Sequence, residues 1–301
     1  MDIAMALGGG GVRGFAHVGV LRRLEREGFR IRAVAGTSAG GIVAAAYAAG
    51  YTPDEIEAIF SKIDQTKLFA RGAGEGPGLL GFSNAARVLE EFLGERTFAD
   101  LKIPCAMAAV DINTATEVVL TEGRVVDAIL ATAAIPGVFP PKEMGDFRLV
   151  DGAVLDPVPV SLARLLAPRL PVAAVVLSMR TDQPGRPPAS FPLPVKVPER
   201  IVERLTHTRV AQAFTIFMES IDVGSRMLTE LRLEVDEPDV VIRPDVGGIG
   251  MLDRVDVHQI VRLGEEATDA LMPDLLRMVS WASRLRRNVF PQVVRKGGKP
   301  Q

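Results

Sequence analysis

Two glycine-rich turns near the start of the chain constrain its fold more than any other feature of the sequence. The apolar run Asp2–Leu7 leads directly into Gly8-Gly9-Gly10-Gly11-Val12-Arg13-Gly14, after which apolar residues recur with a helical period. A second apolar run, Ile31–Ala35, is followed by Gly36-Thr37-Ser38-Ala39-Gly40-Gly41 and by a second helical segment. Strand, helix, strand and helix within about fifty residues predict a parallel sheet with helices packed against it.

The rest of the chain continues this alternation. Val172–Leu177 is wholly apolar, which is typical of a strand covered on both faces. Further strands are predicted at Cys105–Val110, Glu117–Leu120, Arg148–Val150 and Val240–Arg243, and helices at Asp54–Ile63, Asn84–Leu93, Val125–Ala134, about Glu199–Leu231 and about Val257–Leu285. The Pro-rich segment Gln183–Pro198 is the best candidate for a domain boundary, but a loop within one domain fits better. We therefore expect one three-layer α/β/α domain over residues 1–285, with a central, mostly parallel sheet, and a basic C-terminal tail over residues 286–301.

The composition narrows the classes of function. With 48% hydrophobic and 24% charged residues, the 301-residue chain has the composition of a globular protein. A formal net charge of −2 gives no reason to expect nucleic acid as a partner, because proteins that bind it carry a basic patch or stripe. One cysteine excludes an intramolecular disulfide, and three histidines leave little material for a zinc site, so we predict no metal and no cofactor.

Two uncharged segments were candidates for targeting or membrane insertion, and neither fits. No basic residue precedes the apolar run Ile3–Leu7, whereas a secretory signal needs a charged start and a longer apolar segment. Ala33–Pro53 is long enough to span a bilayer, but its Gly, Ala, Ser and Thr residues favour a buried helix. We therefore expect a cytoplasmic protein.

The first glycine run matches two nucleotide-binding patterns only in part. Gly9-x-Gly11-x-x-Gly14 fits the dinucleotide fingerprint, but the second strand ends in Gly36-Thr37-Ser38 where an acidic residue would hold the ribose. No Gly-Lys-Ser/Thr follows, so the run is not a P-loop. What remains is a row of backbone N–H groups at a helix N-terminus, which suits an oxyanion as well as a phosphate.

The second glycine turn has the pattern G-x-S-x-G between an apolar strand and a helix. A nucleophile elbow requires that context, because small flanking residues allow the tight turn that lifts the serine hydroxyl above the sheet. The alternative is that Ser38 caps a buried helix, which is a common role for serine. We favour the nucleophile because the context is correct on both sides of the motif.

A serine nucleophile needs a general base, and the three histidines are poorly placed for it. His207 lies within a predicted polar helix, His258 lies at the start of the last one, and His17 follows the glycine run, where we expect a packed, hydrogen-bonded side chain. Asp151, within Val150-Asp151-Gly152-Ala153 at the end of a predicted strand, is the better candidate. The alternative for Asp151 is a turn aspartate before glycine.

The glycine run, the elbow and Asp151-Gly152-Ala153, in this order and at these distances, resemble the bacterial branch of the patatin-like phospholipase family. The segments Ala134–Pro141 and Arg243–Val246 resemble that branch as well, so the likeness extends over about residues 6–276. The resemblance implies a patatin-like α/β/α fold and a Ser–Asp dyad with Ser38 as nucleophile and Asp151 as general base. It also implies an oxyanion hole formed by Gly9, Gly10 and Gly11, with supporting positions at Arg13, Gly14, Gly36, Gly40 and Gly152. Arg13 either steadies the glycine run, meets a lipid phosphate or is a simple surface arginine.

The function that the resemblance implies is hydrolysis of fatty-acyl esters of (lyso)phospholipids through an acyl-enzyme, with a lipid or acyl-ester substrate. The alternatives are a soluble carboxylesterase or thioesterase on the same dyad, a catalytically silent lipid-binding protein and, least favoured, a nucleotide-binding protein. The segment Arg71–Phe82 and the turn Pro136–Pro141 are the expected rims of an acyl groove. For the basic tail we favour a solvated terminus, and the alternative is a peripheral contact with anionic membrane surfaces. Nothing in the sequence indicates the oligomeric state.

Overall fold

The computed structural model describes residues 1–65, 68–69, 75–178 and 209–280. Several expectations from the sequence lie outside these ranges. They are the Pro-rich segment Gln183–Pro198, the first part of the helix expected at about Glu199–Leu231, His207, residues 71–74 of the expected rim, and the C-terminal tail.

Strands and helices alternate through most of the described chain. The strands are β1 (Asp2–Leu7), β2 (Arg30–Gly36), β3 (Cys105–Asp111), β4 (Thr116–Leu120), β5 (Lys142–Met144), β6 (Phe147–Asp151), β7 (Val172–Val175) and β8 (Val240–Ile242). The helices are α1 (Phe15–Arg26), α2 (Ala39–Ala48), α3 (Pro53–Ser61), α4 (Ser83–Leu93), α5 (Val125–Thr132), α6 (Val160–Leu166), α7 (Arg209–Asp236), α8 (Val257–Ala270) and α9 (Met272–Met278). Short 3-10 turns occupy Gly11–Gly14, Phe98–Asp100 and Gly152–Val154.

The described strands form one mixed sheet of eight strands. Neighbouring strands in the order β3-β2-β1-β7-β8 run parallel to one another. Strands β4 and β6 pair antiparallel with β3, and β5 pairs antiparallel with β6. The prediction of a central, mostly parallel sheet is confirmed.

Strand β1 illustrates how helices cover both faces of the sheet. Ile3, Met5 and Leu7 belong to a large apolar cluster that includes residues of α1, α2, α5 and α8. Ala4 and Ala6 alternate with them and therefore face the other side, where they join a second cluster with residues of α6. Small alanine side chains on that face leave room for α6 to lie close to the sheet. The three-layer α/β/α prediction is confirmed.

Two local predictions differ from the structure. One helix over about Val257–Leu285 is wrong, because α8 ends at Ala270 and α9 begins at Met272, with Pro273 in its first turn. Proline has no N–H to continue a helical ladder and is favoured in a first turn. Strand β5 and helix α6 were not predicted, since 3 and 7 residues are too few to establish an apolar period.

The uncharged segment Ala33–Pro53 contains α2, which is buried over most of its length. The expectation of a buried helix there is confirmed. Within the ranges that the structure describes, no helix has the length and apolar character needed to cross a membrane.

Candidate active site

The pairing of β3 brings the serine turn and Asp151 together. In β3, Met107 pairs with Gly36 of β2, and Ala109 pairs with Asp151 of β6. Strand β4 pairs with β3 along this same stretch and so occupies its other edge. Strands β2 and β6 therefore follow one another along a single edge of β3. Strand β2 ends at Gly36. Ser38, two residues further along the chain, therefore lies beside Asp151.

Ser38 has the strained backbone of a nucleophile elbow. Its φ of 54° and ψ of −123° lie in a region that residues other than glycine rarely adopt. A Cβ on Gly36 would lie 2.4 Å from the Gly40 carbonyl oxygen, so the close turn itself requires glycine there. A Cβ on Gly40 would lie 2.0 Å from the Leu7 oxygen, so glycine is required there because the turn approaches β1 closely. Ser38 precedes α2 but makes no side-chain capping hydrogen bond, which leaves its hydroxyl free for another partner.

The Ser38 backbone is held from α5. Its N–H donates to Thr132 Oγ1 at 3.0 Å, and the Thr132 hydroxyl in turn donates to the Ala108 carbonyl of β3 at 2.5 Å. Thr132 is fully buried, so water does not compete for these bonds. The elbow is thereby fixed to the strand that also positions Asp151.

Asp151 is a buried carboxylate whose Oδ1 accepts a hydrogen bond from the Ala153 N–H at 2.8 Å. Burial raises the pKa of Asp151 to about 6, although the nearby Ser38 hydroxyl and the Ala153 N–H both lower it. A Cβ on Gly152 would lie 2.3 Å from the Ala108 oxygen, so glycine is needed where the chain turns across β3.

Hydrogen bonds fix the glycine run on either side of the N–H groups of Gly10 and Gly11. The Gly9 N–H donates to the Pro157 carbonyl at 3.0 Å, and the Val12 N–H donates to the Met251 carbonyl at 2.9 Å. Between them, the N–H groups of Gly10 and Gly11 have no hydrogen-bond acceptor among the described residues. The Gly9 N–H is already engaged, so of the three predicted oxyanion donors Gly10 and Gly11 have free N–H groups.

Close approach explains why this run consists of glycine. Gly11 has a φ of +60°, and a Cβ there would lie 2.0 Å from the Met251 carbonyl oxygen. A Cβ on Gly9 would lie 3.3 Å from the Ser38 Cβ, which places the run directly beside the serine. A Cβ on Gly14 would lie 2.6 Å from the Ala39 Cβ, at the start of α2. The two glycine-rich turns that are separate in sequence are therefore packed against each other.

The buried side chains of Arg13 and His17 hydrogen-bond to the backbone in and around the glycine run. Arg13 is buried, and its Nε donates to the Ile249 carbonyl at 2.5 Å, which corresponds to the loop-steadying interpretation. His17 is fully buried, and its Nε2 lies 2.8 Å from the Gly8 carbonyl oxygen, so the expected packed role is confirmed. Burial lowers the pKa of His17 to about 4, although the Gly8 carbonyl raises it. The imidazole is therefore neutral at pH 7, and Nε2 donates its proton to that carbonyl.

Other candidates for metal or triad chemistry lie elsewhere. His258 is exposed, and its Nδ1 contacts Glu57 of α3 at 2.5 Å, away from Ser38. Across the described part of the chain, His, Cys, Asp and Glu side chains form no group of three placed to hold a metal ion.

A cavity of about 390 Å³ opens beside Ser38. Its lining is largely apolar and includes Ile42, Phe60, Leu89, Ile129 and Phe139. The expected rims contribute in part, since Phe82 stacks on Phe139 with ring centroids 4.4 Å apart. The helix at α4 was predicted, but its place in the cavity wall was not, and neither was that of the loop at residues 251–254. The apolar face of α4, with Ala85, Leu89 and Leu93 buried, was the available signal for the first of these.

Comparison with known proteins identifies the class to which this arrangement belongs. The family model described as patatin-like phospholipase matches residues 5–164, a range that contains the glycine run, the serine elbow and Asp151. This range exceeds half of the 301 residues. The chain belongs to the patatin-like phospholipase family.

Similar proteins cover the chain to different extents. An uncharacterized NTE family protein of Mycobacterium bovis is 35% identical over 162 residues, which is 53% of this chain and 44% of that protein. Another from the same organism is 27% identical over 283 residues, covering 92% of this chain and 48% of its own. The chain thus spans about half the length of these curated relatives. The crystal structure of VipD from Legionella pneumophila shares the fold, with a TM-score of 0.57 at 13% identity over 90% of this chain and 66% of VipD.

Proposed function

We propose that this chain is a serine acyl hydrolase that cleaves fatty-acyl esters of (lyso)phospholipids through an acyl-enzyme. The observation that carries the proposal is the placement of Ser38 beside the buried Asp151 carboxylate, whose pKa the Ser38 hydroxyl lowers, at the wall of an apolar cavity. Membership of the patatin-like phospholipase family supports a lipid ester as the substrate class.

The first step is attack by Ser38 on the ester carbonyl. As Ser38 Oγ bonds to the carbonyl carbon, its proton passes to Asp151, and the former carbonyl oxygen becomes an oxyanion. The free N–H groups of Gly10 and Gly11 would donate to that oxyanion, and each such donor is worth about 2.7–4 kcal/mol in comparable sites. Because the run is anchored at Gly9 and Val12, these donors need no rearrangement when charge develops.

Collapse of the tetrahedral intermediate breaks the bond to the leaving alcohol, which takes the proton from Asp151. Asp151 is then a carboxylate again and can accept a proton from water, whose oxygen attacks the acyl-Ser38 carbonyl. The second collapse returns the proton to Ser38 Oγ and releases the fatty acid. One carboxylate therefore serves both half-reactions, as general base and as general acid.

The raised pKa of Asp151 suits this role. A carboxylate with its ordinary pKa is a weak base, whereas one with a pKa of about 6 holds a proton more strongly and is still mostly ionised at pH 7. Burial in the folded chain supplies that increase in pKa. Because the Asp151 carboxylate lies close to the Ser38 hydroxyl, the proton acceptor is where the reaction needs it.

The cavity favours a fatty-acyl substrate over a small ester. Its apolar lining would remove the methylene groups of an acyl chain from water, at about 25 cal/mol for each Å² of apolar surface. A soluble carboxylesterase acting on short acyl groups would not use most of this surface. Activity should therefore rise with acyl length across a series of p-nitrophenyl esters from acetate to palmitate.

Fluorophosphonate labelling followed by peptide mapping tests the proposal. We expect one adduct, on Ser38, and loss of both labelling and ester hydrolysis in Ser38→Ala. Ser220→Ala is the matched control, because Ser220 is an exposed residue of α7 whose hydroxyl donates to the Ile216 carbonyl of the same helix. Undiminished hydrolysis by Ser38→Ala would contradict the proposal, and lipid binding without labelling would favour the catalytically silent alternative.

A cytoplasmic location stays a prediction, and for the basic tail a solvated terminus stays the favoured interpretation, with a peripheral membrane contact as the alternative. Sedimentation with anionic liposomes tests this alternative. Equal binding by the full chain and by a chain truncated after Ser283 would exclude a membrane contact made by the basic tail.

A further inference from the structure

The two residues Asp156 and Pro157 are hydrogen-bonded to all three parts of the candidate site, which are the turn at Asp151, the serine turn and the glycine run. We call this two-residue segment the strut. The Asp156 N–H donates to the Gly152 carbonyl at 2.8 Å, beside Asp151. The Thr37 hydroxyl donates to the Asp156 carbonyl at 2.8 Å, and the Gly9 N–H donates to the Pro157 carbonyl at 3.0 Å. The strut therefore contacts the turn that carries the base, the residue before the nucleophile and the oxyanion loop.

None of these contacts uses the Asp156 side chain. That carboxylate is fully buried and faces α7, where Arg232 Nη2 lies 3.0 Å from Oδ2. A buried carboxylate without a cation is strongly disfavoured, so the ion pair is what keeps the side chain, and with it the strut, in place.

Two further carboxylates share the same guanidinium. Glu117 of β4 lies 3.3 Å from Arg232 Nη2, and Asp236, one turn along α7, lies 3.7 Å from Nε. Burial raises the pKa of Asp156, Glu117 and Asp236, while Arg232 lowers each one. The positive charge of Arg164 in α6 also lowers the pKa of Asp236.

We propose that Asp156 and Arg232 are positioning residues for acyl transfer, which hold the strut so that Ser38, Asp151 and the oxyanion loop keep their relative geometry. This inference rests on the proposed function. Neither side chain touches the substrate, and both act through the backbone of the strut. Arg232 thereby links the strut to α7, whose own residues lie far from Ser38 in sequence.

Steady-state kinetics of Asp156→Asn and Arg232→Gln test the pair. Asn keeps the size of Asp156 but loses the charge that binds Arg232. We expect kcat to fall about tenfold in each variant with KM changed less than twofold, because distorted geometry affects the transition state more than binding. The double variant should be no slower than either single variant, since both remove one contact. Arg232→Lys should recover part of the lost kcat.

A matched control separates positioning from simple loss of α7 docking. Glu230 lies two residues before Arg232 and ties α7 to Arg243, just after β8, through an ion pair of 2.8 Å. Glu230→Gln weakens α7 docking without touching the strut, so kcat should stay within twofold of the wild type. Circular dichroism of each variant establishes that it is folded before its kinetics are compared.

The outcomes distinguish the two proposals. A wild-type chain that neither hydrolyses esters nor labels at Ser38 would overturn the proposed function. An active wild type with unchanged kcat in Asp156→Asn would overturn the positioning role alone. The positioning role is also overturned if Glu230→Gln loses as much kcat as Asp156→Asn, or if the losses in the double variant simply multiply.

Discussion

Replacing Asp151 by Asn should stabilise the folded chain at neutral pH while it abolishes hydrolysis. The pKa of Asp151 rises from 3.8 to about 6 because the folded chain buries the carboxylate. That increase of about two units corresponds to about 3 kcal/mol, at 1.36 kcal/mol for each unit. Below pH 3.8 the carboxyl is protonated whether the chain is folded or unfolded, so no penalty applies. As the pH rises from 3.8 to about 6, the wild type loses this stability, and Asn, which has no charge to bury, does not.

Urea unfolding of both proteins at several pH values from 4.5 to 8 provides the measurement. The other titrating groups are common to both chains and cancel in the difference between their free energies of unfolding. That difference should move in favour of Asp151→Asn by about 2 kcal/mol across the series, because about 1 kcal/mol of the total is already lost below pH 4.5, and it should level off above about pH 7. Ser38→Ala should make the change larger, because the nearby Ser38 hydroxyl lowers the pKa. A difference independent of pH would refute the reasoning that burial raises this pKa.

Three further predictions concern the same residues and two helical glycines. The kcat/KM of ester hydrolysis should fall below a pKa of about 6, since protonated Asp151 cannot accept the Ser38 proton; a flat profile between pH 5 and 8 contradicts this. Ser38→Gly should be about 1 kcal/mol more stable than Ser38→Ala in urea unfolding, because glycine accepts a φ of 54° without strain. In thermal unfolding, Gly264→Ala should destabilise by about 2 kcal/mol or more, as its Cβ would lie 2.0 Å from the Ala16 carbonyl oxygen. Gly224→Ala, an exposed helical glycine with no atom within 4 Å of its Cβ, should stabilise by about 0.5–1 kcal/mol, and equal signs for the two would contradict the packing argument.

Apolar patterning was enough to predict most of the sheet, but short or interrupted elements escaped it. Strands such as Asp2–Leu7 are covered on both faces, so nearly every residue is apolar and the run is visible in sequence. Strand β5 has 3 residues and exists because it pairs with β6, a contact that its own residues do not encode. The apolar period continued through Pro273 and so concealed the break between α8 and α9.

The two glycine-rich turns could be located from the chain alone, because each combines a strand end, a close approach and a helix start within a few consecutive residues. Glycine at position 36 is needed by the turn itself, because its Cβ would meet the Gly40 backbone, whereas glycine at position 40 is needed for the close approach of Leu7 in β1. The pattern G-x-S-x-G between a strand and a helix is nevertheless local, and it indicates a candidate elbow at Ser38. The same local logic suggested that the glycine run presents N–H groups to an anion.

The partners of these turns come from distant parts of the chain, and they depend on how the sheet is paired. Asp151 reaches Ser38 only because β6 follows β2 along one edge of β3, and no property of Asp151 itself specifies that register. Pro157 engages the Gly9 N–H and leaves two donors free, while Arg232 of α7 contacts the strut through Asp156. Contacts between residues so far apart in sequence are selected by the packing of the whole core, so the chain encodes the turns locally and the assembled site only collectively.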